Sequence, residues 1–363
     1  MRIILEKIRK TDTFVTSLMP FDPFRAVVTA CCLIAFIVAA SAATGVDRRE
    51  IGLEELRDGL EQPEGELRSM VEDLERSLPG GDDKPFNEYL NAEWLLERAT
   101  TVVGTNEPDL QKAFCDGTRQ SWKSRSLAAD YSGTHFRFLR AHSLGGRSGL
   151  LFRAGGEGGA LNFCMLTLAR GADGKCAVDD IYVVGLSEFV SGTLRRGYIT
   201  LLNSLEPAGE EGRRATAYLE HLPKIVQINT ALRQKEFSRV LTLSHALPGT
   251  VRHERGILLM RLEAAEHVSM PERSKVLAEW LTQFSDEMTL PLKFADFHIA
   301  QGRMSDAERV LRALDQKLGG DSYLKLRVGE VRMLQRHADQ LAAARKSSRA
   351  PTTPVARTPA ATN

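Results

Sequence analysis

A chain of 363 residues, 43% hydrophobic and 26% charged, has the composition of globular protein and the length for two domains with flanking segments. The 48 Lys and Arg against 47 Asp and Glu leave a formal charge of +1, which supplies no general attraction to nucleic acid or anionic lipid. The five cysteines show no Cys-x-x-Cys spacing, so neither a disulfide framework nor a zinc site is expected.

The first element is apolar. Residues 26–43 (AVVTACCLIAFIVAASAA) are eighteen residues without a charge, the short end of what a transmembrane helix needs. Arg25 stops the run on one side and Asp47, Arg48 and Arg49 stop it on the other. A buried soluble helix would carry a polar stripe; this one has only Thr29 and Ser41. The segment 26–44 is therefore expected to be a single membrane-spanning helix behind an N-terminal segment 1–25. Ala40-Ser41-Ala42 also fits a signal-peptide cleavage site. The long preceding segment favours an uncleaved anchor. The slight excess of Lys and Arg before the span leans toward an internal N-terminus, which places residues 45–363 outside the cytoplasm. Val28-Thr29-Ala30-Cys31 loosely resembles a lipobox, but it opens the apolar run where a lipobox should follow it. Cys115, Cys164 and Cys176 read as small buried hydrophobes.

Residues 45–83 are acidic with helical patterning. Leu53, Leu56 and Leu60 form one stripe, and Leu67, Met70, Val71, Leu74 and Leu78 another, with Pro63 between them. A short coiled-coil stalk and two helices lying on the next domain both fit. Pro79-Gly80-Gly81-Asp82-Asp83 closes the segment as a linker.

Residues 84–205 read as an α+β domain, with helices on one face of an antiparallel sheet. Helices are expected over Phe86–Val103 and Asp109–Leu127. Strands are expected over His135–His142, Leu150–Arg153, Leu161–Ala169 and Cys176–Val184, and a closing helix over Leu186–Leu202. Asp173-Gly174 is a sharp hairpin signal. On element order this domain resembles nuclear-transport-factor-2-like or cystatin-like cones. Such a fold implies a pocket between sheet and helix.

A linker is expected over 206–217, an all-α array over 218–347 and a disordered tail over 348–363. Ile299-Ala300-Gln301-Gly302-Arg303-Met304-Ser305-Asp306-Ala307 places a glycine at a helix turn and a small residue five positions on, with Leu311 and Leu314 continuing the buried face. Ala231-Leu232-Arg233-Gln234-Lys235-Glu236-Phe237 repeats the pattern two periods earlier, with Lys235 in the glycine position, Val240 in the small-residue position and Pro248 ending the second helix. A poorer copy has its turn at Ala265–Pro271, and a further one covers Leu334–Ala344. The spacing of about 34 residues and this pattern resemble tetratricopeptide repeats. That resemblance implies an α-solenoid with a surface that holds protein partners. Tyr218, Trp280, Phe284, Phe294, Phe297 and Tyr323 read as packing residues.

Motifs for chemistry are scarce. No His-Glu-x-x-His, Gly-x-Ser-x-Gly or Walker sequence occurs. Gly155, Gly156, Gly158 and Gly159 join strands and open no helix, so they read as a hairpin turn. His135 and His142 flank one strand and read as solvated residues, with a metal pair as the sharper alternative. Asp179-Asp180 invites a carboxylate-pair reading, but adjacent strand residues point to opposite faces, so only one, Asp180 with Tyr182, would enter a pocket. Arg195-Arg196 reads as a solvated helix face. No catalytic, cofactor-binding or metal-binding residue is assigned, and partner-binding residues are left open. The expected function is that of a membrane-anchored adaptor or scaffold in a bacterial-type envelope, binding an unidentified protein partner through the helical array. The alternative is a ligand-binding or catalytic cone-like domain whose array serves assembly. A structural subunit of a larger envelope machine is a third reading.

Overall fold

A computed structural model describes residues 48–101, 107–123, 135–155, 161–205 and 209–348. The apolar segment 26–43, its Cys31 and Cys32, residues 156–160 of the glycine-rich turn and the tail from 349 lie outside the described residues. Among the described residues no helix is long and apolar enough to cross a membrane. The chain divides into two compact units, one ending at Leu290 and the other beginning at Pro291.

The first unit opens with a six-stranded antiparallel sheet and its helices. The strands are β1 (Arg48–Glu50), β2 (His135–Leu144), β3 (Arg147–Gly155), β4 (Leu161–Gly171), β5 (Cys176–Val183) and β6 (Glu188–Phe189). Their order is β2-β3-β4-β5-β6, with β1 paired to the far end of β4. The β4–β5 hairpin turns where Asp173-Gly174 signals it, with Gly174 at φ 77°. Helices α1 (Leu53–Glu61) and α2 (Glu66–Ser77) pack Leu56, Leu67, Met70 and Leu74 onto Leu150, Phe152, Leu166 and Val178 of the sheet. They are not a free stalk. Their acidic residues serve the sheet instead: Glu66 Oε1 accepts the Cys176 N–H at 2.8 Å, and Glu75 Oε1 accepts the Phe138 N–H at 2.6 Å beside a bulge in β2. Strand N–H groups left without a ladder partner need such acceptors.

Helices also cover the other face, which corrects the expectation of a sheet covered on one side. α3 (Lys84–Tyr89) packs Phe86 into the first core beside α2, while α4 (Ala92–Thr100), α5 (Pro108–Lys123) and α6 (Val190–Leu205) build the second layer. Leu95, Leu96 and Ala99 of α4 form a second core with Phe114 and Cys115 of α5 and Leu194 and Tyr198 of α6. The side chains of Arg98 in α4 and Ser191 in α6 reach β5 from this side. A strand covered on both faces loses polar alternation, which is why β4 reads as one apolar run. The single helix expected over Phe86–Val103 is broken at Leu90–Asn91. The Asn91 N–H donates to Val178 O at 2.9 Å, extending the β5 edge, and the Asn91 side chain then caps α4.

Residues expected as a linker are largely helical. α7 (Gly209–Glu220) packs back on α6. Then come α8 (Leu222–Arg233), α9 (Phe237–His245), the short α10 (Gly249–Arg252), α11 (Arg255–Val268) and α12 (Met270–Phe284). α8 packs on α9, α9 on α11, and α11 on α12. Arg261 of α11 is wholly buried and holds Glu279 of α12 with two bonds, 2.6 and 3.0 Å. Such fork-to-fork pairs are the strong, geometry-setting ones.

The second unit contains α13 (Pro291–Ala300), α14 (Met304–Lys317) and α15 (Ser322–Ser348), packed in sequence. The turns α8–α9 and α13–α14 are built alike. Glu236 N–H returns to Ala231 O at 2.9 Å, and Arg303 N–H returns to His298 O at 2.8 Å, each a six-to-one closure around a left-handed residue. That residue is Lys235 at φ 59° in one turn and Gly302 at φ 71° in the other. Val240 and Ala307, five positions on, are both fully buried. The copy expected at Leu334–Ala344 has no turn: α15 runs unbroken through it. Nothing from Glu330 to Ser348 is a glycine or proline, so no residue there ends the helix.

Candidate functional site

The sequence singled out Asp179-Asp180, and the structure brings both to one place. Adjacent strand residues normally diverge. Here β5 carries a bulge: Thr167 pairs with Asp180 but Leu168 pairs with Val178, leaving Asp179 as the extra residue. Both carboxylates therefore lie on the face of Thr167, opposite the Leu166–Leu168 core. This corrects the expectation that only Asp180 could enter that side.

Both are fully buried and closely held. Asp179 accepts from Arg98 Nε and Nη2 at 3.0 and 2.5 Å, from Arg147 Nη2 at 2.6 Å and from Thr167 Oγ1 at 2.7 Å. Asp180 accepts from Arg147 Nη1 at 2.9 Å, from the Ser191 N–H at 3.1 Å and from the Ser191 hydroxyl. Glu50 of β1 joins through Arg98 at 2.6 Å. Burial pushes the Asp180 carboxyl up, against the pull of Ser191 and Arg147. Two carboxylates ringed by donors with no exposed surface have no face left for a substrate. The cluster ties β1, β3, β4, β5, α4 and α6 together, and its chemistry is that of a buried ionic anchor. The Tyr182 ring packs edge-on against Phe189, 4.9 Å between centroids.

A second arrangement escaped the sequence reading. A cleft of about 200 Å³ opens where α6 and α7 meet the start of α11. Arg196 and Thr200 come from α6, Arg214 and Tyr218 from α7, and Glu254 and Leu259 from the α11 side. Arg196 lies on an exposed helix face, as the sequence suggests, and from there donates to both oxygens of Glu188. Its neighbour Arg195 donates to the Arg98 carbonyl instead. Arg255 lies 3.6 Å from Glu188 and sets its guanidinium 5.5 Å from the ring centres of Trp280 and Phe284. Glu254 is the exception: among the described residues no hydrogen bond or ion pair reaches its carboxylate. Burial raises its proton affinity, and Arg214 and Arg196 pull it partly back. The signal for this site was spread over three segments of sequence, so no local motif could announce it.

The remaining candidates do not converge. His135 and His142 stand seven positions apart on β2, roughly 20 Å along an extended strand, too far for one metal ion. Among the described residues no group of three or more His, Cys, Asp or Glu is placed to hold a metal. Burial pushes the Cys115 thiol up to about 11 and the Cys176 thiol up to about 12, as inert core residues require. Family models, curated proteins and solved structures were all compared with this chain, and none matches it.

Proposed function

We propose that the chain is a membrane-anchored adaptor that holds a protein partner through a tetratricopeptide-like set of helical hairpins. The observation that carries this reading is the twin turn: Lys235 and Gly302 occupy the same left-handed position of the same closure, two periods apart, each followed by a fully buried small or β-branched residue. The first helices of the three successive pairs begin at Leu222, Arg255 and Pro291, close to the spacing of about 34 residues typical of such arrays. Each pair leaves an apolar side that only a neighbour can cover, which is the physics of a repeat array. The anchor rests on the uncharged run 26–43. The bulk of the chain then lies outside the cytoplasm. The buried Asp179–Asp180 cluster supports a scaffold over a catalyst, because its acids are used up in holding the fold.

Two measurements test the reading. Removing residues 1–44 is expected to move the protein from the membrane fraction to the soluble fraction, and retention in the membrane contradicts the anchor. Light scattering of the native protein extracted in detergent is expected to give a mass above the 40.2 kDa of one chain by a fixed partner mass. A mass equal to the chain alone contradicts the adaptor.

A further inference from the structure

α15 is packed along only part of its length. Leu324, Val328 and Val331 are buried, and from Arg332 to Ala343 every residue except the half-buried Gln335 is exposed. That outer stretch is about 18 Å of helix. At about 100° per residue, Met333, Leu334, His337 and Leu341 fall on one side of it, and Arg332, Gln335, Arg336 and Asp339 on the other. The stripe lies away from the side that Val328 and Val331 bury. Three large apolar side chains on one side of a helix end, each about half exposed, contribute nothing to internal packing.

The charge of this end is as uneven as its hydropathy. Arg332 is taken by Glu308 at 2.8 Å. Arg336 donates to the Arg332 carbonyl at 3.4 Å and meets no carboxylate among the described residues. Beyond it the sequence carries Arg345, Lys346, Arg349 and Arg357, and from 333 to 363 Asp339 is the sole acid. The near-neutral chain thus ends on a local cationic excess. A second copy would bring like charge against like charge. Residues 349–363 offer Val355 and otherwise only Ala, Pro and polar side chains, too little apolar surface to cover the stripe. Nucleic acid suits the cations but gives the leucines nothing, and no aromatic is interleaved with them. A bilayer surface with anionic headgroups matches both features at once.

We propose that the outer end of α15 lies on an anionic lipid surface. Met333, Leu334 and Leu341 enter the boundary of the acyl region. Arg336, flanking Met333, extends its long side chain back to the headgroup phosphates, which also attract the cations that follow in the sequence. The run 26–43 is what brings a bilayer near, and the lipid contact needs no more of the membrane reading than that proximity.

The test presents the full chain to vesicles of phosphatidylcholine alone and of equal parts phosphatidylcholine and phosphatidylglycerol, and follows hydrogen exchange of α15 by mass spectrometry. A helix end exposed on all sides opens readily in water, and a bound surface suppresses the opening. Exchange over 332–344 is expected to slow about tenfold on the phosphatidylglycerol vesicles and little on phosphatidylcholine. Arg336→Gln is expected to cut that slowing to about threefold, since one cation near an anionic surface is worth about a factor of five in binding. The double variant Leu334→Gln/Leu341→Gln, at exposed positions, is expected to lose the slowing while its thermal melt stays unchanged. Equal exchange on the two vesicles, or slowing that survives the double variant, overturns the proposal. So does equal slowing by soluble polyglutamate without vesicles, which would assign this end to an acidic protein instead. Flotation of the chain reports on the anchor and the extracted mass on the protein partner, so either can fail without deciding the behaviour of α15.

Discussion

Asp180 shows how one residue carries the architecture of the first unit. It is buried without exposure and accepts from Arg147, Ser191 and the Ile181 N–H. Truncation leaves Arg147 in the interior with one partner fewer, and breaking a buried pair typically costs about 3–5 kcal/mol. Asp180→Ala is therefore expected to lower stability in urea unfolding by that amount, whereas a change under about 1 kcal/mol would show that the cluster is hydrated and dispensable. Lys235 makes the opposite case. A non-glycine side chain at φ 59° is strained. Lys235→Gly is expected to stabilise by about 1 kcal/mol, and Gly302→Ala, at φ 71°, to cost about as much. Equal signs for the two substitutions would mean that the turns are not equivalent. Glu308 gives a pH signature in the second unit. Hydrogen bonds from Arg332 and Arg312 hold its carboxyl down at about 2, against an ordinary 4.5. A depressed acid contributes stability that is complete above the ordinary value and is lost as pH falls toward the lowered one. Hydrogen exchange in α14 and α15 is expected to differ between the native chain and Glu308→Gln at neutral pH, and to converge as pH drops from 4.5 toward 2.

At the scale of elements, the sequence speaks where one local rule decides. The Asp173-Gly174 hairpin, the strands around it and the turn at Gly302 follow from local chemistry, and the structure has them. Legibility fails where a distant group overrides the local pattern. The heptad-like leucines of α1 and α2 read equally as a stalk or as helices on a sheet, and only the apolar face of Phe152 and Leu166 decides. Leu90 and Asn91 have helical neighbours on both sides, yet Val178, 87 positions on from Asn91, takes the Asn91 N–H and splits the helix. The bulge at Asp179 has no sequence mark at all. It inverts the expected facing of two adjacent acids and turns a catalytic-pair pattern into a buried anchor. In α15 the pattern of Leu334–Ala344 mimics a repeat, but without a glycine or proline the helix simply continues, leaving Met333, Leu334 and Leu341 exposed. The cleft was illegible for the same reason as the helix break, since its charges come from segments that meet only in the fold.

For the whole molecule, the central claim is that the helices after residue 209 exist to hold another protein. The sheet-bearing part is held by two cores and by the buried ionic cluster. The helical pairs carry exposed positions on α8, α9 and α14, among them Gln227, Ser238 and Arg309. The most direct measurement places a photo-activated cross-linking residue at each of these three positions, and at His135 on β2 as a control, in the native membrane. The account predicts one shared adduct of fixed mass from at least two of the helical positions and none from His135. Adducts from His135 alone, or none from any helical position while the protein remains folded, would contradict it.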